Sequence, residues 1–210
     1  MTKPTPPRIG IMADSHGDPK AIDRGALFLR QQGCTSLYHL GDICDTNRCE
    51  TADSCVGLVN SHGILAIKGN NDHSLAADAR GRSDPPVHRR TLAFLEDLPI
   101  IRKVEDAQLV HSRPDIQRLG LSAMIGTIGK WEAAEYFLEY PRGLLFRGHS
   151  HKPELILQQG TDIRFVRLHN GQTIDLNQCR PCIVTCGALD RGFVLTWDPV
   201  RGMLTSCLLQ

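Results

Sequence analysis

No stretch of this sequence is both long and apolar. The opening, "MTKPTPPRIGIMADSHG", is a proline-rich tip and then a short apolar run that polar and charged residues soon interrupt. That run is too brief for a secretory signal or a membrane span, so the expected location is cytoplasmic. Net charge is scarce as well: 24 Lys and Arg against 23 Asp and Glu leave +1. Without a basic field, there is no strong signal for nucleic acid or an anionic membrane. Internal repeats, low-complexity tracts and long linkers are also missing. With 41% hydrophobic and 22% charged residues, the composition is that of a soluble globular protein rather than a disordered one. The reading is one domain over residues 1–210, long enough to bury a sizeable core.

Cysteine is not scarce. Eight are present, and without an export signal they do not imply disulfides. Cys179 and Cys182 form "CRPC", with Cys186 four residues on, but a structural zinc site wants four ligands. Cys44, Cys49 and Cys55 are the other thiols in reach of such a scheme. Free, reduced thiols are the reading adopted, and a metal or redox pair is the alternative.

Apolar runs that end in polar residues read as buried strands. "RIGIMAD" (8–14), "SLYHL" (36–40) and "GILAIKG" (63–69) are three, separated by helical spacing in "AIDRGALFLRQQG" and at about 51–61. This β-α-β-α-β order favours parallel strands with right-handed crossovers. "KGNNDH" (68–73) reads as a turn, because asparagine is a poor strand former. Further on, "TLAFLEDL" and "GKWEAAEYFLEY" read as helices, while "IIRKV", "AQLVHS" and "GLLFRGHSH" contain strands. From residue 153 the pattern turns to short β runs, giving an α/β fold with a strand-rich second half.

Chemistry-bearing residues collect after the strands: Asp14 and His16 in "ADSHG", Asp42 in "LGD", Asn70 in "GNND", His111 in "VHS", and His149 and His151 in "RGHSH". Loops at the carboxyl ends of strands in an open α/β sheet converge on one crevice. Singly, each residue has an ordinary explanation as a turn, a helix cap or a hydrogen-bonded core histidine. Alternation in extended chain, however, aims His149 and His151 the same way. Together, the set supplies the oxygen and nitrogen donors of two adjoining divalent sites.

The ordered set "DSH", "GD", "GNND", "VH" and "GHSH" resembles the calcineurin-like metallophosphoesterases, whose pattern is D-x-H, G-D, G-N-x-[D/E], H and G-H-x-H. The late "VTCGALDRGFVLTWD" resembles that family's closing asparagine-proline-glycine-serine stretch and the strand after it. The short chain and the non-histidine third motif are most similar to its small bacterial and archaeal phosphodiesterase branch. The resemblance implies a β-sandwich of two mixed sheets flanked by helices. It also implies one ion held by Asp14, His16, Asp42 and His151, with Asp42 bridging to a second ion held by Asn70, His111 and His149. Manganese, iron, zinc or nickel suits this mixed nitrogen and oxygen set.

The activity so implied is hydrolysis of phosphate esters, of small molecules or nucleotides and above all of diesters, by a hydroxide bridging two metals. In many members, the histidine after the metal-binding asparagine protonates the leaving group, paired with an aspartate three residues beyond the bridging one. Asp45 stands at that aspartate position, but Asn71 replaces the histidine. An amide donates hydrogen bonds yet is no acid near neutral pH, which favours diesters or activated esters. His73 is the nearest substitute acid in sequence, and His39 precedes the Gly-Asp. Arg113 and Arg147 are candidates for contacting phosphate, beside a surface or structural role. The chain departs from the family pattern at "SRPD" after His111 and at Cys186, where proline is common. The alternatives are a phosphomonoesterase or dinucleotide polyphosphate hydrolase, and a protein-binding scaffold like the retromer subunit, against which the complete ligand set argues.

Overall fold

The computed structural model describes residues 7–209; the proline-rich tip lies outside them. Twelve strands form two mixed sheets of six, ordered β3-β2-β1-β11-β12-β9 and β4-β5-β6-β10-β7-β8. The first sheet contains β1 (Arg8–Met12), β2 (Cys34–His39), β3 (Leu65–Ala66), β9 (Thr173–Asp175), β11 (Phe193–Asp198) and β12 (Met203–Leu208). The second contains β4 (Ile101–Val104), β5 (Ala107–Val110), β6 (Leu144–Arg147), β7 (Glu154–Gln159), β8 (Asp162–Arg167) and β10 (Cys182–Thr185). Helices α1 (Pro19–Gln31), α2 (Ala52–Ser61), α3 (Asn70–Ala79) and α4 (Arg89–Asp97) precede β4, and the short α5 (Ile116–Leu119) and α6 (Lys130–Glu139) separate β5 from β6.

Alternation along β1 shows how the layers form. Ile9 and Ile11 point into the space between the sheets with Leu109, Phe146, Val184, Leu195 and Trp197, while Met12 packs with the helices. Each such side chain removed from water contributes roughly 1.5–3 kcal/mol. The fully buried Trp197 rests against Phe146, ring centroids 5.0 Å apart. Gly10 faces α1, where a Cβ would lie 2.7 Å from Leu37 and 2.9 Å from Leu29; the missing side chain lets the helix seat closely. Outside the second sheet, Ala133, Tyr136 and Phe137 of α6 cover Val110, Leu145 and Ile183.

Two readings change. "GILAIKG" is paired with β2 at Leu65 and Ala66, and after the Ile67 N–H bond to His39 O the chain leaves the ladder. "KGNNDH" is not a turn but the start of α3, with Gly69 as N-cap and Asn70 as the first helical residue. The overlooked signal is Asp72, three residues after the cap, whose Oδ2 accepts from the Gly69 N–H at 3.0 Å. Apolar Leu75, Ala76 and Ala79 then follow at helical spacing, all buried.

Candidate metal centre

The residues of the five motifs meet at one end of the sandwich. β1, β2 and β3 run parallel in one sheet, β5 and β6 in the other, so loops leaving their carboxyl ends face one another across the two sheets. The crevice therefore lies between two packed sheets rather than along one open sheet. Gly148 makes this approach close: a Cβ there would lie 2.8 Å from both Ala13 Cβ and Asp14 Oδ2. The His149 N–H donates to the Asp14 carboxylate at 2.9 and 3.1 Å, and Leu189 N–H, from the closing stretch, donates to Ala13 O at 2.7 Å.

Local backbone conformation aims the side chains. Asp14, His16, Asp42, His149 and His151 all adopt positive φ, between 45° and 68°. For residues with a Cβ this conformation is sparsely populated and costs energy, and outside the site Glu105 alone adopts it among the described non-glycine residues. The surrounding bonds hold it in place: Asp14 N–H to Gly41 O at 3.0 Å, and Ser15 and His16 N–H to Asp42 O at 3.0 and 3.1 Å.

Two groups of donors result. In the first, His16 Nε2 and His151 Nε2 are 2.9 Å apart, with His151 Nε2 3.8 Å from Asp14 Oδ1 and His16 Nε2 4.0 Å from Asp42 Oδ2. In the second, His111 Nε2 lies 3.0 Å from Asn70 Oδ1, 3.2 Å from His149 Nδ1 and 3.5 Å from Asp42 Oδ1. Asp42 thus reaches both groups.

Electrostatics favours a cation here. Burial first, then the charge of Asp42, holds the Asp14 carboxyl well above the usual carboxylate range. Burial lowers His111 and His151, and takes His149 down to about 4, so these rings are neutral near pH 7. His111 Nδ1–H donates to Leu40 O at 2.7 Å, which leaves its Nε2 a lone pair pointed at an amide oxygen and a carboxylate. Acceptors facing acceptors lack a proton to share, and divalent ions with nitrogen and oxygen ligands fit that donor set. Asp14 with His16 and His151, and Asp14 with Asp42 and His111, each place one donor atom per residue within 4.8 Å of the others.

The neighbouring candidates sort differently. Asn71 donates to Asp42 twice, from N–H to Oδ1 and from Nδ2 to Oδ2, each at 2.8 Å. Asp45 lies 3.7 Å from His16 Nδ1 and also caps the following turn through Asn47 N–H. The ring of His73, in the first turn of α3, makes no hydrogen bond or ion pair among the described residues. His39 is fully buried behind the site, with Nε2 3.0 Å from Ser15 Oγ, and burial takes it down to about 3.

Both arginines have partners within the protein. Arg147 is buried beside Ser112 Oγ at 3.4 Å, and Arg113 is held by Asp115 at 2.9 and 3.0 Å. All eight cysteines are free, five of them buried. Burial pushes the Cys55 and Cys182 thiols up to about 12. The sequence reading matches Asp72 to the last position of "GNND" but gives it no role; it is fully buried and accepts from Gly69, Ile43 and Cys44 N–H. Its own burial and the charge of Asp42 push it up to about 7.

Residues 8–171 match the calcineurin-like phosphoesterase superfamily domain. The chain belongs to that superfamily, whose members are metal-dependent phosphoesterases. No curated protein matches the sequence. Among solved structures, the fold is similar to a metallophosphoesterase from Sphaerobacter thermophilus: TM-score 0.75 at 20% identity, covering 98% of this chain and 89% of that one. It is also similar to a candidate diadenosine tetraphosphatase: TM-score 0.65, 15% identity, 99% and 96% coverage. An archaeal phosphodiesterase follows at TM-score 0.51, with 13% identity and 96% and 99% coverage. At such identities the likeness is one of fold. No helix among the described residues is long and apolar enough to cross a membrane.

Proposed function

We propose that this chain is a phosphodiesterase that holds two divalent transition-metal ions at one centre. The observation that carries the reading is the position of Asp42, with Oδ2 4.0 Å from His16 Nε2 and Oδ1 3.5 Å from His111 Nε2. One carboxylate stands between two groups of lone-pair donors. Asp14, His16, Asp42 and His151 would hold one ion, and Asp42, Asn70, His111 and His149 the other. Bound there, manganese, iron, zinc or nickel ions supply an acidified water and offset charge developing on the phosphoryl oxygens.

The chain's own residues set orientation and proton supply. Asp45 stands beside His16 at 3.7 Å, and Asn71 holds both oxygens of Asp42. Because the Asn71 amide donates hydrogen bonds but no proton near neutral pH, the site favours leaving groups that depart unprotonated. His73 remains the candidate acid by sequence proximity alone. A second reading, hydrolysis of dinucleotide polyphosphates in the cytoplasm, is favoured by the likeness to the candidate diadenosine tetraphosphatase.

The test is metal content by mass spectrometry, then turnover of bis-p-nitrophenyl phosphate and p-nitrophenyl phosphate with and without added manganese. The expected result is bound metal and a faster diester rate. Absence of both metal and turnover would sink the enzyme reading and leave the scaffold. A monoester rate far above the diester rate would sink the role given to Asn71.

A further inference from the structure

The loops that carry Asp42 and Asn70 leave β2 and β3 just where the ladder between those strands stops. The last backbone bond joining them is Ile67 N–H to His39 O at 3.0 Å. Beyond it, among the described residues, no backbone-to-backbone bond connects residues 41–44 with residues 68–72. The two segments nevertheless touch: a Cβ on Gly69 would lie 2.1 Å from Asp42 N, and one on Gly41 2.6 Å from Gly69 N.

The Asp72 carboxylate fastens their backbones. Asp72 Oδ1 accepts from Cys44 N–H at 2.9 Å, and Oδ2 accepts from Gly69 N–H at 3.0 Å and Ile43 N–H at 3.3 Å. A cap for α3 explains the Gly69 bond. It does not explain the two bonds to Ile43 and Cys44, which belong to the other loop. Asn71 also spans the gap, but through the oxygens of Asp42 themselves. Asp72 grips only backbone, so it fixes separation without occupying a donor atom.

We propose that Asp72 is a positioning residue that sets Asn70 against Asp42 and His111 and thereby sets the affinity of the second ion. The proposal rests on the two-ion reading above. Groups that orient metal ligands typically change affinity by about 10–100-fold when lost.

The experiment is calorimetric titration of metal-stripped protein with Mn2+, paired with electron paramagnetic resonance, for the wild type, Asp72→Asn and Asp72→Ser. The wild type is expected to bind two ions per chain with a spin-coupled signal; fewer than two would sink the two-ion reading itself. In Asp72→Asn, the first ion should bind as in wild type and the second about 10–100-fold more weakly, with signals of isolated ions. Diester turnover should recover as Mn2+ is raised, which a misfolded site would not allow. Unchanged second-ion affinity and coupling would overturn the proposal. Failure of both variants to fold would overturn it too, because Asp72 would then serve the fold rather than the second ion.

Discussion

Asn71 holds Asp42 at both oxygens, with its backbone N–H on Oδ1 and its side-chain amide on Oδ2, each 2.8 Å away. A free N–H at the start of α3 and a neighbouring amide therefore orient the carboxylate shared by both donor groups. Hydrogen bonds to a charged acceptor contribute about 1.5–3 kcal/mol. Asn71→Ala is expected to lower the unfolding free energy of the metal-free protein by about 1–3 kcal/mol, read by urea denaturation. No change would show that solvent replaces the amide.

Asp42→Asn removes the shared charge. Tight binding of no more than one divalent ion is expected, with kcat/KM for a diester falling by about 10²–10³-fold. Chelation should abolish wild-type turnover, and added manganese should restore it. A variant with both ions at full occupancy would contradict the bridging role.

Gly148→Ala tests the approach of the two sheets. The added Cβ would come within 2.8 Å of Ala13 and of the Asp14 carboxylate, pushing Asp14 and His149 apart. With the core beneath intact, the fold is expected to survive while kcat falls by about a hundredfold. Circular dichroism and diester kinetics read the two effects separately, and wild-type kinetics would show that the loop yields freely.

The burial of His39 has a consequence in acid. Its folded pKa, about 3, lies below the ordinary 6.5, so between those values the unfolded chain takes a proton that the folded chain refuses. Its contribution is present above 6.5 and is lost as pH falls toward 3. His39→Gln is expected to flatten the acid limb by up to one proton, roughly 1.4 kcal/mol per pH unit. Denaturant melts from pH 7 to 4 measure the slope; identical slopes would place the acid sensitivity elsewhere.

The residues that meet at the candidate centre were legible in the sequence because their chemistry is local. A D-x-H, a Gly-Asp or a His-x-His at the end of an apolar run carries both the donor atoms and the strand that presents them. The helix α1 was legible for the same reason, with buried residues at helical spacing and a positive-φ stop at Gly33. Pairing was not. β11 enters between β1 and β12, and β10 between β6 and β7, because register and neighbour choice depend on which faces bury each other over long separations.

The same distinction runs through the site. That Asn71 is no acid follows from its side chain alone; that it holds Asp42 follows only from the start of α3 being placed beside the loop after β2. For Arg147 the sequence leaves open a phosphate contact and a structural role, and its burial favours the structural one. Asp72 is one residue of an expected turn until packing starts α3 at Asn70 and brings the Ile43 and Cys44 amides to its oxygens. Sequence by itself determined which atoms are available to bind metal. Tertiary structure decided which of them meet and what holds them there, because backbone donors far along the chain become neighbours only when the core is packed.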